Sequence, residues 1–370
     1  MRKFLLALVI ITMLCGASCA DMVYMTSTGN LGTINITSSS DIKAPSIRYT
    51  GTSSSPFLTS YWNGSSTNLA MISRNATASG DRAYVFSPDS LTSYSHSADI
   101  EGVHGTNGAG YSENGYSLFL TAGSRIYEVE TSGFGVLNSF DCTGVISADD
   151  CDTVVDSIAV DRQTIHVIAS AGDRQKYIRF DGQLKEGVYY FMSSDVSAGS
   201  TIVLSNIGSY PIIGHSTGID AMASDRKFHS LLSSDYPVRA ICPDNSSGFF
   251  YASQYQSGES YVNTIMHSLQ DTHFTPVTIS SASSNIKLLQ DNKNPDTFAV
   301  MTNEAITLFT YKNNLTSRHD YTASELGGLP AGITAAEVSG YDGNSGSSGC
   351  NAMGMGLAIL CITILMIRRD

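Results

Sequence analysis

Residues with catalytic or metal-binding chemistry are sparse in this chain of 370 residues. The densest acidic cluster consists of Asp149, Asp150 and Asp152. Three carboxylates on one loop could contribute to a calcium site, since Ca²⁺ takes about six to eight oxygen ligands. A solvated loop explains the same cluster more simply. The sequence therefore predicts no metal site here.

The eight histidines are dispersed, and no Cys or His pair has the spacing of zinc ligands. His166 and His267 fall within or beside predicted strands, where they are ordinary sheet residues. His104 lies in the glycine-rich loop 102–108 and could face the centre of the fold. No nucleophile elbow, H-E-x-x-H motif, P-loop or EF-hand loop occurs. We therefore expect no catalytic residues and no cofactor.

Cysteines bear on the compartment of the protein. Cys142 and Cys151 flank a turn-prone acidic segment and could form a local disulfide under oxidising conditions. Closing such a small loop stabilises a fold by about 2 to 3 kcal/mol. Cys242 lies in an apolar run and is expected to be a buried thiol. The other cysteines are in the terminal segments: Cys15, Cys19, Cys350 and Cys361.

Tyrosine is abundant, with 19 residues in the chain. Tyrosine in loops suits contacts with carbohydrate or protein, because its ring supplies contact area and its hydroxyl a hydrogen bond. It is also a good strand former, so no site is assigned to it from the sequence. The tyrosines in or near predicted loops are Tyr61, Tyr111, Tyr189, Tyr190, Tyr251 and Tyr255.

The overall composition excludes one class of partner. Charged residues make up 15% of the chain, hydrophobic residues 42%, and the net charge is −12. A large core can form, with solubility coming from uncharged polar side chains. The basic residues are scattered, whereas neutralising phosphates needs clustered cations. We therefore expect no nucleic-acid binding.

The N-terminus has the layout of a secretory signal peptide. Two basic residues precede an apolar run at residues 4–14, and small residues follow it, which places cleavage between Ala20 and Asp21. The run is too short to span a bilayer core of about 30 Å. The alternative is a lipoprotein signal, with Cys19 as the modified residue. Both alternatives predict export.

The C-terminus combines a Gly/Ser linker at 343–349, an apolar stretch at 352–367 and the basic pair Arg368 and Arg369. A helix over the apolar stretch would be about 24 Å long, slightly less than a standard membrane span. Arginines that remain among the headgroups favour a cytoplasmic end. The sequence thus predicts a membrane-associated helix at residues 351–370.

Gly349, Cys350 and Asn351 directly precede this apolar stretch. Their position resembles the C-terminal sorting signals of bacterial proteins, of which the Synergistes-type CTERM tail is an example. The resemblance covers about the last 25 residues. It implies cleavage near Cys350 by a sorting protease and display at the cell envelope or surface. A plain transmembrane anchor is the alternative, and both tether the protein outside the cytoplasm.

The intervening region repeats a strand-turn-strand pattern. Clear units occupy residues 156–180, 238–266 and 286–310. Seven units of about 46 residues fit if two lie in the longer interval after residue 156, and this period matches a four-stranded propeller blade. The first strands are expected to begin near Phe57, Gly108, Asp156, Val238, Ile286 and Ile333.

The two ends of the repeating region are complementary. Residues 22–28 and 31–37 look like second and third strands, and residues 332–338 look like a lone first strand. Pairing them would complete a blade and remove an exposed sheet edge. The prediction is an all-β fold, a seven-bladed β-propeller over residues 21–340. A tandem of β-sandwiches and a β-helix are the alternatives.

The repeats resemble YVTN or quinoprotein-like propellers, in which the first strand ends in Asp, here Asp161, Asp244 and Asp291. The functional hypothesis is an exported, envelope-tethered, non-catalytic propeller that binds or scaffolds protein or glycan ligands at the surface. A propeller hydrolase or lyase with a site in the central funnel is the alternative. The predicted segments are the signal peptide (1–20), the propeller (21–340), the linker with the sorting motif (341–350) and the apolar helix with its basic end (351–370).

Overall fold

The computed structural model describes residues 22–335, with gaps at 35, 39–40, 43, 52–55, 63–66, 87–90, 113–114, 147–151, 162–163, 182–183, 185–191, 196–200, 205–210, 226, 244–247, 269–273, 291–296 and 313–314. The predicted signal peptide, with Ala20 and Asp21, and the predicted tail from the linker onward lie outside the described residues. Within the part that is described, no helix is long and apolar enough to cross a membrane.

The described strands form seven antiparallel sheets of four strands each, called blades 1 to 7, and one short two-stranded ribbon. The N-terminal strands are β1 (Met22–Thr26), β2 (Leu31–Ile34), the ribbon β3 (Ile36–Ser38) with β4 (Asp41–Ile42), and β5 (Ser46–Tyr49). Blade 2 contains β6 (Pro56–Trp62), β7 (Thr67–Ser73), β8 (Gly80–Phe86) and β9 (His96–Glu101). Blade 3 contains β10 (Gly108–Tyr111), β11 (Ser117–Ala122), β12 (Arg125–Glu130) and β13 (Val136–Asp141).

The next two blades follow in the same order. Blade 4 contains β14 (Thr153–Asp161), β15 (Thr164–Ala171), β16 (Arg174–Asp181) and β17 (Met192–Asp195). Blade 5 contains β18 (Thr201–Leu204), β19 (Pro211–His215), β20 (Gly218–Met222) and β21 (Phe228–Ser233).

The remaining strands complete the ring. Blade 6 contains β22 (Val238–Pro243), β23 (Phe249–Ser257), β24 (Ser260–His267) and β25 (Val277–Ser281). Blade 7 contains β26 (Ile286–Gln290), β27 (Thr297–Thr302), β28 (Ala305–Lys312) and β29 (Leu315–Thr322). Blade 1 contains β30 (Pro330–Ala335) followed by β1, β2 and β5.

Blade 1 closes the ring. The last strand, β30, supplies its first strand and pairs with β1, so that Met22 lies opposite Ala335 and Tyr24 opposite Ile333. The first strand of every blade contacts the first strand of the next blade, around to blade 1 again. The predicted seven-bladed propeller and its closure by the two ends are confirmed. The tandem of β-sandwiches and the β-helix are excluded.

The core lies between neighbouring blades, because each sheet packs one face on the preceding blade and the other on the next. Phe250 of blade 6 stacks on Phe298 of blade 7 with the ring centroids 4.5 Å apart, and Phe298 stacks on Phe309 at 5.2 Å. All three side chains are almost fully buried. Burying one such side chain stabilises the fold by about 1.5 to 3 kcal/mol.

Two helices of four residues lie in loops between blades, α1 (Thr143–Ile146) and α2 (Ala323–Leu326). A capping box holds α2, since Thr322 and Glu325 bond reciprocally, and Gly327 ends the helix with φ of 72°. These loops join the fourth strand of one blade to the first strand of the next.

Antiparallel strands divide the connections between two faces. We call the face that carries the turns between second and third strands and the loops between blades the upper face. The lower face carries the other connections. Met22 and Ala335 are paired at the lower end of blade 1, so the chain enters and leaves the propeller on the lower face.

Candidate binding site

An open groove lies on the upper face at the boundary of blades 6 and 7. Its volume is about 710 Å³, within the range of small-molecule sites. The lining is polar and aromatic, and it comes from the loop before β22, the hairpin of β23 with β24, and the loop before β26. The lining residues are Pro237, Arg239, Gln254, Tyr255, Gln256, Tyr261, Ser284, Asn285 and Ile286.

A projecting hairpin forms one wall of this groove. The first strand of blade 6 begins at the pair Val238 and Ser253. Beyond it, β23 and β24 continue to pair for four more residue pairs, from Gln254 with Asn263 to Ser257 with Ser260. Four residues extend about 13 Å at about 3.3 Å per residue. The hairpin therefore stands above the first strand and gives the groove its depth.

Two buried amides fix the hairpin to its surroundings. Gln254 and Asn263 are 4% and 0% exposed. The Nε2 of Gln254 donates to Oδ1 of Asn263 at 2.7 Å and to the carbonyl of Ser284 at 3.0 Å. The Nδ2 of Asn263 donates to the carbonyl of Ile279 and to Oγ of Ser281. Buried polar groups with satisfied hydrogen bonds rigidify a structure, so the groove is preformed.

Tyrosines provide the aromatic surface beside the groove. Tyr255 on the hairpin packs against Tyr236 of the preceding loop, with the ring centroids 4.7 Å apart and the planes at 31°. Tyr255 is 37% exposed and Tyr236 is 45% exposed, so both rings are accessible. Tyr261 lines the groove from the third strand. Exposed rings in this arrangement can stack on a ligand while their hydroxyls form hydrogen bonds.

The inner end of the groove carries a cation. Arg239 is exposed, and the register of β22 shifts between Val238 and Ala240, so that Arg239 is the extra residue of a β-bulge. Bulges turn a side chain away from the alternation of the strand. Arg239 forms no ion pair with any residue that the structure describes. Its guanidinium is available to a ligand.

A second cation stands on the neighbouring first strand. Lys287 follows Ile286 of the groove lining and is exposed to solvent. Its ammonium nevertheless lies close enough to Cys242 for the two groups to interact electrostatically. Desolvation lowers the pKa of the Lys287 ammonium, and the nearby Cys242 thiol opposes this change. Arg239 and Lys287 are the second residues of first strands that contact each other, so they lie at similar heights in the ring.

The central channel has little acid-base chemistry in its described part. Asp156 is the one exposed carboxylate among the described side chains of the first strands, and it too is the extra residue of a bulge. Its Oδ2 accepts a hydrogen bond from Nε2 of Gln175 at 2.8 Å. A pair of carboxylates, as glycosidases use, is not found among these side chains.

The residues singled out in the sequence are dispersed in the structure. His104 is exposed on the upper face between blades 2 and 3, far along the ring from the groove. His166 is buried in its sheet with Nδ1 2.8 Å from the hydroxyl of Tyr177, and His267 packs against Phe250. The interpretation of His166 and His267 as sheet residues is confirmed.

Of the acidic cluster, Asp152 is exposed, whereas Asp149 and Asp150 lie outside the described residues. In the described ranges no group of three or more metal-binding side chains occurs. The predicted partner of Cys142, Cys151, also lies outside them. Cys142 is a buried thiol whose pKa desolvation raises to about 12.

Cys242 is buried as expected, and its Sγ accepts a hydrogen bond from the Gln290 amide at 3.2 Å. Of the loop tyrosines, Tyr255 lies in the groove and Tyr251 is buried. Tyr61 and Tyr111 are on first strands, with side chains that are not described, and Tyr189 and Tyr190 fall in a gap.

A buried carboxylate in blade 2 is not among the residues singled out in the sequence. Asp81 is fully buried and accepts hydrogen bonds from the amides of Asn75, Gly105 and Thr106 and from the hydroxyl of Thr106, all at 2.7 to 2.9 Å. Desolvation raises the pKa of Asp81, but these hydrogen bonds outweigh it and leave the pKa below its usual value. Asp81 thereby fixes the loop that carries His104.

Comparison with known proteins supports the fold. No family model matches the chain, so the sorting-signal and YVTN resemblances gain no support from that comparison. No curated protein matches it either. Among solved structures, a Bacteroides uniformis protein described as a 6-phosphogluconolactonase is similar with a TM-score of 0.59 and 12% identity, over 85% of this chain and 98% of that one.

A second solved structure is dihydro-heme d1 dehydrogenase NirN in complex with DHE. Its TM-score is 0.48 at 6% identity, over 85% of this chain and 75% of that one. At 12% identity the likeness to the Bacteroides uniformis protein concerns the fold alone, and function has to be argued from the site.

Proposed function

We propose that this protein is a non-catalytic β-propeller that binds a glycan or protein ligand in the groove between blades 6 and 7, and that it does so as an exported protein tethered to the cell envelope. The observation that carries the binding function is the projecting hairpin of β23 with β24, held by Gln254 and Asn263. A preformed site avoids part of the ordering cost of binding.

The chemistry of the groove supports binding more than catalysis. Its accessible groups are tyrosine rings, amides and an arginine, which recognise ligands by stacking and hydrogen bonding. A hydrolase or lyase in the funnel needs acid and base groups that converge from several first strands. The described first strands offer Asp156, which Gln175 already contacts, as their exposed carboxylate. An Asp156→Asn variant should accordingly retain ligand binding.

The tether is compatible with this site. The predicted signal peptide precedes Met22 and the predicted tail follows Ala335, and these two residues lie on the lower face. The groove opens on the upper face. Attachment through either end would therefore join the propeller on the face opposite the groove.

A glycan array tests the binding proposal. The full-length protein, solubilised in detergent, is compared with Tyr255→Ala, which removes an accessible ring from the groove. We expect the wild type to bind a limited set of glycans and the variant to lose them. Binding that is unchanged in Tyr255→Ala would place the ligand elsewhere on the protein.

Mass spectrometry of the protein from cell envelopes tests the export and tethering proposal. An N-terminus at Asp21 and a C-terminus near Cys350 are the expected results. A peptide that contains Ile367 followed by Arg368 in the mature protein would rule out cleavage of the tail. A retained N-terminal Met1 would rule out a cleaved signal peptide.

A further inference from the structure

An arginine without an ion-pair partner among the described residues lines the groove, in a protein with a net charge of −12. Arg239 enters the groove from blade 6. Arginine recognises carboxylates through paired hydrogen bonds. We propose that the groove binds an acidic carbohydrate whose carboxylate pairs with Arg239. This inference rests on the proposed binding function.

The backbone presents Arg239 for this purpose. In a regular strand, the side chain of Arg239 would point to the face of the sheet opposite the buried residues Val238 and Ala240. The bulge makes it the extra residue, and it lines the groove. The equivalent bulge in blade 4 presents Asp156, which is engaged by Gln175. Of these two bulge charges, Arg239 is the one without an ion-pair or hydrogen-bond partner among the described residues.

The carboxylates near the groove do not lie on first strands, as Arg239 does. Asp235, Glu259 and Glu304 stand on turns and loops of the upper face, not on the first strands. Glu304 is engaged, because its Oε1 accepts a hydrogen bond from the amide of Ala282 at 3.3 Å. The inner end thus attracts an anion, while the outer rim is acidic. A ligand with one well-placed carboxylate fits this arrangement better than a polyanion does.

The remaining groups of the groove favour a sugar over an acidic peptide. Tyr255 and Tyr261 offer rings on which a sugar ring can stack, and Gln256 and Asn285 offer amides for hydroxyl groups. A volume of about 710 Å³ in an open groove suits a short oligosaccharide. Ile286 is the one large aliphatic residue among the described residues of the lining, so the groove offers little surface to an aliphatic peptide side chain.

A matched pair of ligands separates charge from shape. Isothermal titration calorimetry with the full-length protein uses a short oligogalacturonate and its methyl ester, which differ in the carboxylates alone. We expect the affinity for the acid to be at least about 10-fold higher than that for the ester, because one charged hydrogen bond has an effect of this size. Arg239→Gln should abolish this preference.

The control variant is Lys227→Gln, which removes an exposed cation from the turn between β20 and β21 on the lower face. It should keep the preference for the acid. Because Arg239 is exposed, Arg239→Gln should unfold at the wild-type temperature.

Equal affinity for acid and ester, with loss of both in Tyr255→Ala, would overturn the inference and leave the proposed function intact. Binding of neither saccharide would overturn the inference, and the glycan array then judges the function separately. An acidic peptide that binds as tightly as the oligogalacturonate and is insensitive to Tyr255→Ala would also overturn it.

Discussion

Blades 2 and 6 hold their hairpins in place with different polar side chains. In each, a buried polar residue on the third strand helps to tie the hairpin to the loop that leads to the next blade. Blade 2 uses the carboxylate of Asp81, which collects four hydrogen bonds. Blade 6 uses the amide of Asn263, which acts through Gln254 on the carbonyl of Ser284.

The difference explains why a groove forms beside blade 6. In blade 2 the hairpin pairing ends at Ser73 with Arg82, and the loop closes over the carboxylate. In blade 6 the hairpin projects, and neutral amides hold the two walls of a groove without adding a charge to it. The charge of Arg239 is therefore available to a ligand, whereas the carboxylate of Asp81 accepts hydrogen bonds inside the protein.

The largest effect on stability is expected for Asp81→Asn. An amide in place of this carboxylate loses the charge and turns one acceptor into a donor that faces backbone N–H groups. We expect a loss of about 3 kcal/mol in the free energy of unfolding, measured by urea denaturation. Asp99→Asn is the matched control in the same blade. Its ion pair with Arg82 is partly exposed, so the loss should stay below about 1 kcal/mol.

Lowering the pH should remove the difference in stability between the wild type and Asp81→Asn. The pKa of Asp81 is lower in the folded protein than its usual value, so the stabilisation is present above the unfolded pKa of about 3.9 and is lost as the pH falls through the folded pKa. Urea denaturation from pH 7 down to pH 2 should show wild type and Asp81→Asn converging at the acid end. A constant difference across the series would contradict the role of an ionised Asp81.

Asn263→Ala should have the next largest effect. It leaves Gln254 and Ser281 without a shared buried partner, and we expect a loss of about 2 kcal/mol. Ligand binding should weaken as well, since the hairpin loses its anchor. Gln256→Ala is the control, because its Nε2 bonds the exposed turn carbonyl of Gly258 and should contribute little to stability. Equal losses of unfolding free energy in the two variants would argue against the anchoring role of the buried amide.

Tyr255→Ala should have the smallest effect on stability, about 1 kcal/mol, from the lost ring contact with Tyr236. Its effect on binding should be much larger than this. Thermal unfolding and ligand titration of the same sample compare the two. A variant that loses more stability than Asn263→Ala would show that Tyr255 belongs to the core of the hairpin.

Much of the architecture could be predicted from the sequence. Strand and turn periodicity located the first strands at Gly108, Val238 and Ile286, and the unpaired strands at the two ends indicated ring closure. Repetition makes such a pattern visible, because the same pairing recurs. The long interval after residue 156 was also interpreted correctly as two blades, the second of which begins at Thr201.

The groove could not be predicted in the same way. It depends on how far β23 and β24 pair beyond β22, and this offset is set by three-dimensional register. Arg239 carries no distinguishing pattern in the sequence, because its exposure arises from a bulge. The sequence predicts Tyr255 in or near a loop, but its neighbour Tyr236 belongs to a different connection. Asp81 is a single carboxylate whose partners come from two separate loops.

The most direct test of the account compares the two upper-face regions in one binding measurement. Tyr255→Ala alters the blade 6 groove, and His104→Ala alters the exposed side chain on the loop after blade 2. Both full-length variants are screened on the same glycan array as the wild type. We predict that glycans bound by the wild type are lost with Tyr255→Ala and kept with His104→Ala. Loss with His104→Ala and retention with Tyr255→Ala would contradict it.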